Sequence, residues 1–298
     1  MAKFEHQPDP IDAPDRELAF HAASPSRART LSTAHVDHYN AQGFVAPIPV
    51  YGDEDAARVR AYIDNLLAAV LGADDRRNAY SINSYHHVCA GLWDLVSEPR
   101  IVALVEDILG PNIVCWGSHL FAKLPNDGKE VPFHQDAVYW PLTPSKTVTV
   151  WLAIDDADGE NAAMEFVPGS HLAGPLEHES LALDGTRVLG RRAKGVSAAT
   201  PRFLNVLRAG EASLHSDLLL HGSAVNTSNR RRAGLTLRYA AASVRLIDGH
   251  DAWRKSAVHL RDGDPEGFWS NRRRPPGEAP ERMAGFWGEF DGQPLSSE

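Results

Sequence analysis

The chain has 298 residues, 30 Lys+Arg against 39 Asp+Glu for a formal net charge of −9, and is 43% hydrophobic and 23% charged. That composition suits a globular domain with a substantial core, and the acidic balance argues against nucleic acid, because neutralising phosphates takes a concentrated basic face and Arg230-Arg231-Arg232 and Arg272-Arg273-Arg274 are too short to supply one. Two cysteines, Cys89 and Cys115, make neither a disulfide framework nor a thiolate metal site, and no stretch approaches the ~18 apolar residues of a membrane span, so a reduced cytoplasmic setting is expected.

Residues 1–30, rich in Pro, Ala, Ser and charge without apolar period, read as a flexible N-terminal arm, and 31–298 as a single domain. A helix over Thr33 to Gln42 ends near Gly43. A second follows Asp53, where Val59, Tyr62, Ile63, Leu66, Leu67 and Val70 recur at helical spacing before Gly72. Ser97-Glu98-Pro99 opens another, carrying Ile101, Val102, Leu104, Val105, Ile108 and Leu109 to Gly110. From 111 to 245 the texture changes to short β-branched and aromatic runs broken by Pro, Gly, Asn and Asp: Ile113–Lys123, Val131–Asp136, Thr147–Ile154, Ala163–Val167, Gly210–Leu220 and Leu235–Ala242. Strands at this spacing, with few helices between them, indicate a mainly β fold with helical buttresses over 31–110, an antiparallel barrel or double-sheet jelly roll. Gly185–Pro201, with Arg191, Arg192 and Lys194, reads as an insertion. The extension 246–298 holds Trp269, Phe286, Trp287 and Phe290, expected to pack back onto the body, with a homo-oligomer contact as the alternative.

Three His-x-Asp triplets occur, at His35, His134 and His215, where chance alone yields about one. A non-haem iron site takes two imidazoles and one carboxylate on one octahedral face, and residues i and i+2 of a strand point to one side. His35 and Asp37 lie in a helix, where i and i+2 diverge. His215 shares parity with His221 but lies six residues away, ~20 Å along an extended strand, too far to chelate the same ion. His134 taken alone reads as an ordinary buried histidine. After His221, Ser223 shares its face and Arg232 opens a strand; a guanidinium with a hydroxyl suits a carboxylate.

The segments FHQD (Phe133 to Asp136), VTVWLAIDDADGENAAMEFVPGSH (Val148 to His171) and HGS with Arg232 (His221 to Arg232) resemble the phytanoyl-CoA dioxygenase-like family of Fe(II)/2-oxoglutarate oxygenases, from about Thr33 to Tyr239. The resemblance implies a double-stranded β-helix of cupin type, iron held by His134, Asp136 and His221, and 2-oxoglutarate held by Arg232 and Ser223 with Trp151 beside it. Fe(II), 2-oxoglutarate and O2 are the implied cofactor and co-substrates. Related halogenases resemble the pattern with a small residue where Asp136 stands, so the carboxylate points to hydroxylation or another oxidation. Pro168-Gly169-Ser170-His171 reads as a structural turn.

For substrate contacts, His119 and Lys123 share a strand face, Arg238 shares Arg232's parity, the loop Tyr80 to His87 offers Asn83 and Tyr85, and Tyr139-Trp140 follow the metal motif. Inward cations suit a small anionic metabolite, and the block YWPLTPSKTVTVWLAIDD (Tyr139 to Asp156) resembles family members that oxidise small aminophosphonates, with a natural-product intermediate equally open. A non-catalytic metal-binding barrel and a cupin-like isomerase remain the alternatives.

Overall fold

A computed structural model of the chain describes residues 15–75, 77–182 and 184–284. The helical part comprises α1 (Thr33–Gln42), α2 (Asp53–Leu71), α3 (Ala90–Val96) and α4 (Pro99–Leu109), with β1 (Phe44–Pro49) between the first two. There follow β2 (Asn112–Lys123), β3 (Val131–His134), β4 (Leu142–Thr143), β5 (Thr147–Ala153), β6 (Glu165–Phe166), β7 (His178–Ser180) and β8 (Arg191–Ala193). Then come β9 (Phe203–Leu204), β10 (Glu211–Ser216), β11 (His221–Ser223), β12 (Arg232–Ala241), β13 (Arg245–Leu246) and β14 (Val258–Arg261).

The helices start and stop where local chemistry demands. Ser32 and His35 form a reciprocal capping box on α1, which accounts for the exposed His35, and Gly43 ends it with φ of 85°. At Gly43 an added Cβ would sit 2.6 Å from the His171 ring, so glycine is required there by space as well as by backbone. Three acidic residues, Asp53, Glu54 and Asp55, fill the first turn of α2. Pro99 opens α4 and Gly110 closes it with φ of 87°.

The strands form a six-stranded antiparallel sheet, β1-β10-β5-β12-β2-β14, and a four-stranded sheet, β3-β11-β6-β9, the two layers of a jelly roll. Alternation splits the large sheet cleanly. Val148, Val150 and Leu152 with Leu235, Leu237 and Tyr239 join Ile101, Val105 and Ile108 of α4 in the main core, each buried aliphatic contributing ~1.5–3 kcal/mol. The opposite-parity residues Thr149, Trp151, Arg232, Thr236 and Arg238 face a cavity between the sheets.

Several expectations change. Residues 16–30, read as part of a flexible arm, are fastened: Arg16 donates to the carbonyls of Ala137, Trp140 and Leu142, and Asp107 accepts from the amides of Arg29 and Thr30 and of the adjoining Leu31. The helical part and the C-terminal extension each contribute an edge strand, β1 and β14, to the large sheet. The strand expected to reach Asp136 stops at His134, and Asp136–Val138 form a 3-10 turn. Gly210–Leu220 is not one strand: a turn at 217–219 separates β10 from β11. The insertion carries one arm of the β7–β8 hairpin, which packs on β3. Trp269 is buried and its Nε1 donates to Val244, whereas Phe286, Trp287 and Phe290 lie outside the described residues. No described helix is long and apolar enough to cross a membrane, and both cysteines are buried free thiols.

Candidate metal centre

His134 and His221 face each other as register partners of β3 and β11, with ring centroids 4.3 Å apart. Asp136, two residues on, is brought beside them by the 3-10 turn, its Oδ1 3.5 Å from His134 Nε2. One ligand-capable atom from each of the three lies within 4.8 Å of the others, and all three residues are buried.

The surroundings orient each donor. His134 Nδ1 meets the Pro132 carbonyl at 2.8 Å and His221 Nδ1 the Leu219 carbonyl at 2.9 Å, so each Nδ1 carries the proton and each Nε2 keeps its lone pair. Burial, then the nearby His134 ring, pushes the His221 imidazole down to about 4 and keeps it uncharged at neutral pH. For Asp136, burial works to raise the pKa, but His134, His221 and Arg238 outweigh it and hold the carboxyl below its usual range. Gln135 braces the segment between the two donors: its Nε2 donates to the carbonyls of Gly174 and Leu218, and its Oε1 accepts from Leu176. Ser170 Oγ accepts from the Leu220 amide, so the Pro168–His171 turn helps hold the residue before His221. His171 itself is buried against Phe20 and bonded to the Asn40 carbonyl.

The cavity, about 660 Å³ with its open mouth, is also lined by Arg232, Ser223 and Trp151. Arg232 is buried; its Nη2 donates to Ser223 Oγ at 3.1 Å and its Nε to the Ala162 carbonyl at 3.1 Å, and burial lowers its pKa to about 10. Its guanidinium lies 5.5 Å from the Trp151 ring centre. Gly234 makes that ring position available, because a Cβ there would lie 1.9 Å from Trp151. Among the described residues no carboxylate pairs with Arg232. Its neighbours in the basic run are satisfied outside: Arg231 grips the buried Asp155 through two bonds, and Arg230 pairs with Asp158.

Of the expected substrate contacts, Tyr139, Trp140 and Arg238 line the cavity, whereas Lys123, His119, Asn83 and Tyr85 do not. Lys123 and His119 have the inward parity but are covered. Lys123 Nζ donates to the carbonyls of Lys129, Ser223 and Ala224, and His119 Nε2 meets the Tyr80 carbonyl at 2.8 Å. The Tyr85 hydroxyl is buried and bonded by Arg77, and Asn83 pairs with His119 through the backbone. The ~20 Å separation expected between His215 and His221 is also overturned: the turn folds β10 back, their ring centroids are 5.0 Å apart, and His215 lines the cavity. Phe121, Val131, Thr149, Met164, Leu189, Gly222 and Thr236, not singled out beforehand, complete the lining; strand alternation from Trp151 and Arg238 points to Thr149 and Thr236, and nothing local marks Leu189.

The chain is 31% identical over 163 residues to the peroxisomal phytanoyl-CoA dioxygenase of Bos taurus, covering 53% of this chain and 48% of that protein, so it spans about half the length of that relative. It is 26% identical over 233 residues to the L-proline trans-4-hydroxylase of Streptomyces griseoviridis, covering 67% of this chain and 83% of that one. The solved structure of the apo non-heme monooxygenase ThoJ superposes with a TM-score of 0.72 at 25% identity, over 86% of this chain and 94% of that one. The family model for phytanoyl-CoA dioxygenase (PhyH) matches residues 39–234, and the chain belongs to that family.

Proposed function

We propose that this chain is a non-haem Fe(II)/2-oxoglutarate-dependent oxygenase of the cytoplasm that hydroxylates, or otherwise oxidises, an unactivated C–H bond of a small polar metabolite, with O2 as second co-substrate. The observation that carries the reading is one cavity holding both a two-histidine, one-carboxylate cluster and a buried guanidinium with no carboxylate of its own among the described residues.

The residues fit the absent groups. Two imidazoles with Nε2 free and one ionised carboxylate are the donor set that iron(II) takes while keeping coordination positions open, so His134, Asp136 and His221 would hold it. Among the described residues Arg232 is bonded only to a hydroxyl and a carbonyl, neither of which offsets its charge; a carboxylate of 2-oxoglutarate would supply that, with Ser223 at its side. When bound, iron and 2-oxoglutarate supply the oxidising chemistry: the co-substrate is decarboxylated to succinate and CO2 as O2 is consumed. The chain contributes position and dryness. Arg232 and Trp151 would fix one end of the co-substrate, the Nδ1 carbonyl contacts hold the orientation of both imidazoles, and Phe121, Val131, Met164 and Leu189 give the cavity an apolar wall that would exclude water.

A metal-binding barrel without oxygenase activity has no use for the uncompensated Arg232. The deciding experiment is succinate formation from 2-oxoglutarate by protein loaded anaerobically with Fe(II) and then given O2. The reading expects iron-dependent succinate, raised by the right substrate; iron binding without any succinate, coupled or uncoupled, would sink it.

A further inference from the structure

The cavity face of the large sheet carries a second polar feature that iron and Arg232 leave unused. Arg238 of β12 is the register partner of Thr149 of β5, and Thr149 is the register partner of His215 of β10. The three side chains therefore stand in one row across three adjacent strands, on the cavity side, and all three line the cavity. Each presents a buried polar atom without a hydrogen-bond partner: Arg238 Nε, Thr149 Oγ1 and His215 Nδ1. A single such atom is an ordinary packing exception. Three in register beside an open cavity mark a place where the partner comes from outside the chain.

The row has a defined shape. Neighbouring strands are ~4.8 Å apart, so it spans roughly 10 Å from Arg238 to His215. The Arg238 guanidinium is held between two indoles, 5.6 Å from the Trp116 ring centre and 5.3 Å from that of Trp140, which fixes its plane before any ligand arrives. It makes no ion pair or side-chain hydrogen bond with the described residues, although Asp136 lies close enough to act on it electrostatically. The His215 imidazole is buried and its Nδ1 has no hydrogen-bond partner among the described residues, so it offers a hydrogen-bonding atom at the far end of the row.

We infer that the Arg238–Thr149–His215 row is an anion subsite, in which Arg238 and Thr149 hold an oxyanion of the carboxylate or phosphonate kind and His215 meets a further hydrogen-bonding atom of the same molecule. The planar fork of Arg238 pairs two oxyanion oxygens, the Thr149 hydroxyl donates to one, and the step to His215 sets the spacing of the second group. The inference rests on the proposed oxygenase only for the bearer of the anion, either the substrate's head group or the second carboxylate of 2-oxoglutarate.

The test needs neither iron nor turnover. Methylphosphonate is titrated into the metal-free full chain and followed by tryptophan fluorescence, since Trp116 and Trp140 flank the guanidinium. Saturable quenching is expected, weakened about tenfold by Arg238→Gln and about threefold by the near-isosteric Thr149→Val. Thr149→Val keeps volume and β-propensity, so it stays informative if Arg238→Gln misfolds. A second titration is made with the Mn(II)-loaded protein at saturating 2-oxoglutarate. Methylphosphonate binding that persists assigns the anion to the substrate; displacement, together with weaker 2-oxoglutarate binding in Arg238→Gln, assigns it to the co-substrate, and both support the subsite. Absence of saturable binding, or equal binding by wild type and both row variants, overturns it. Succinate formation with no anion binding would remove the subsite and leave the oxygenase reading standing.

Discussion

The loop from Tyr80 to His87 and the row Arg238–Thr149–His215 are both dense in polar side chains, and both lie near the cavity-facing strands, yet they are built for different ends. In the loop most bonds close on the chain itself: the Tyr80 hydroxyl donates to Asp127, Ser84 N donates to the Ser118 carbonyl, and His86 Nδ1 lies 2.7 Å from Ser118 Oγ. In the row each residue keeps one buried polar atom open. Polar groups with internal partners fix a wall, and a row of them left open onto a cavity awaits a ligand. By that measure the substrate contacts expected at Asn83 and Tyr85 are wall, and the cavity's specificity lies on β12, β5 and β10.

The largest effects are expected where donors would meet the metal. His134→Ala and Asp136→Ala should each abolish iron-dependent succinate formation, a loss of roughly a thousandfold or more, while the circular dichroism spectrum stays native. Arg232→Ala comes next. It removes a charged, two-point carboxylate anchor, so the 2-oxoglutarate requirement should rise about 10–100-fold with little change at saturation; an unchanged requirement would refute the anchor. Asn83→Ala belongs at the small end, within about twofold of wild type in steady-state turnover, because its side chain does not line the cavity.

The loop supplies a pH prediction. Burial drives the His86 imidazole down to about 4, so it folds uncharged, whereas in the unfolded chain it titrates near 6.5. Its contribution to stability is whole above about pH 6.5 and is lost as pH falls through about 4. His86→Gln should therefore flatten the loss of stability between neutral and acid pH by on the order of 2–3 kcal/mol, measured by urea unfolding at each pH. An unaltered slope would mean that His86 does not carry that proton linkage.

How much of this was legible beforehand depended on range. The family resemblance placed Arg232 and Trp151 in the cavity and strand alternation put Ser223 on its side, and helix punctuation at Pro99, Gly110 and Gly43 held because caps act over a few residues. The same alternation put Lys123 and His119 inward, and they do face that way, but the carbonyls of Lys129, Ala224 and Tyr80 cover them. Parity reports a direction and not what lies in front of it. His215 was set aside on the assumption of an extended chain, and the turn at 217–219 reverses that judgement. β1 escaped notice because Pro47 and Pro49 break its pattern, and a proline-bearing strand belongs, as here, at a sheet edge. Leu189 enters the cavity from the insertion, a contact that no local pattern carries.

The central claim is that His134, Asp136 and His221 hold one metal and Arg232 holds the co-substrate beside it. Anaerobic calorimetry of Fe(II), followed by 2-oxoglutarate, on wild type, Asp136→Ala and Arg232→Ala tests both halves at once. The account predicts one tight iron site in wild type and Arg232→Ala that is lost in Asp136→Ala, and 2-oxoglutarate binding that needs iron and is weakened in Arg232→Ala. Iron bound equally well by Asp136→Ala, or 2-oxoglutarate bound equally well by Arg232→Ala, would contradict it.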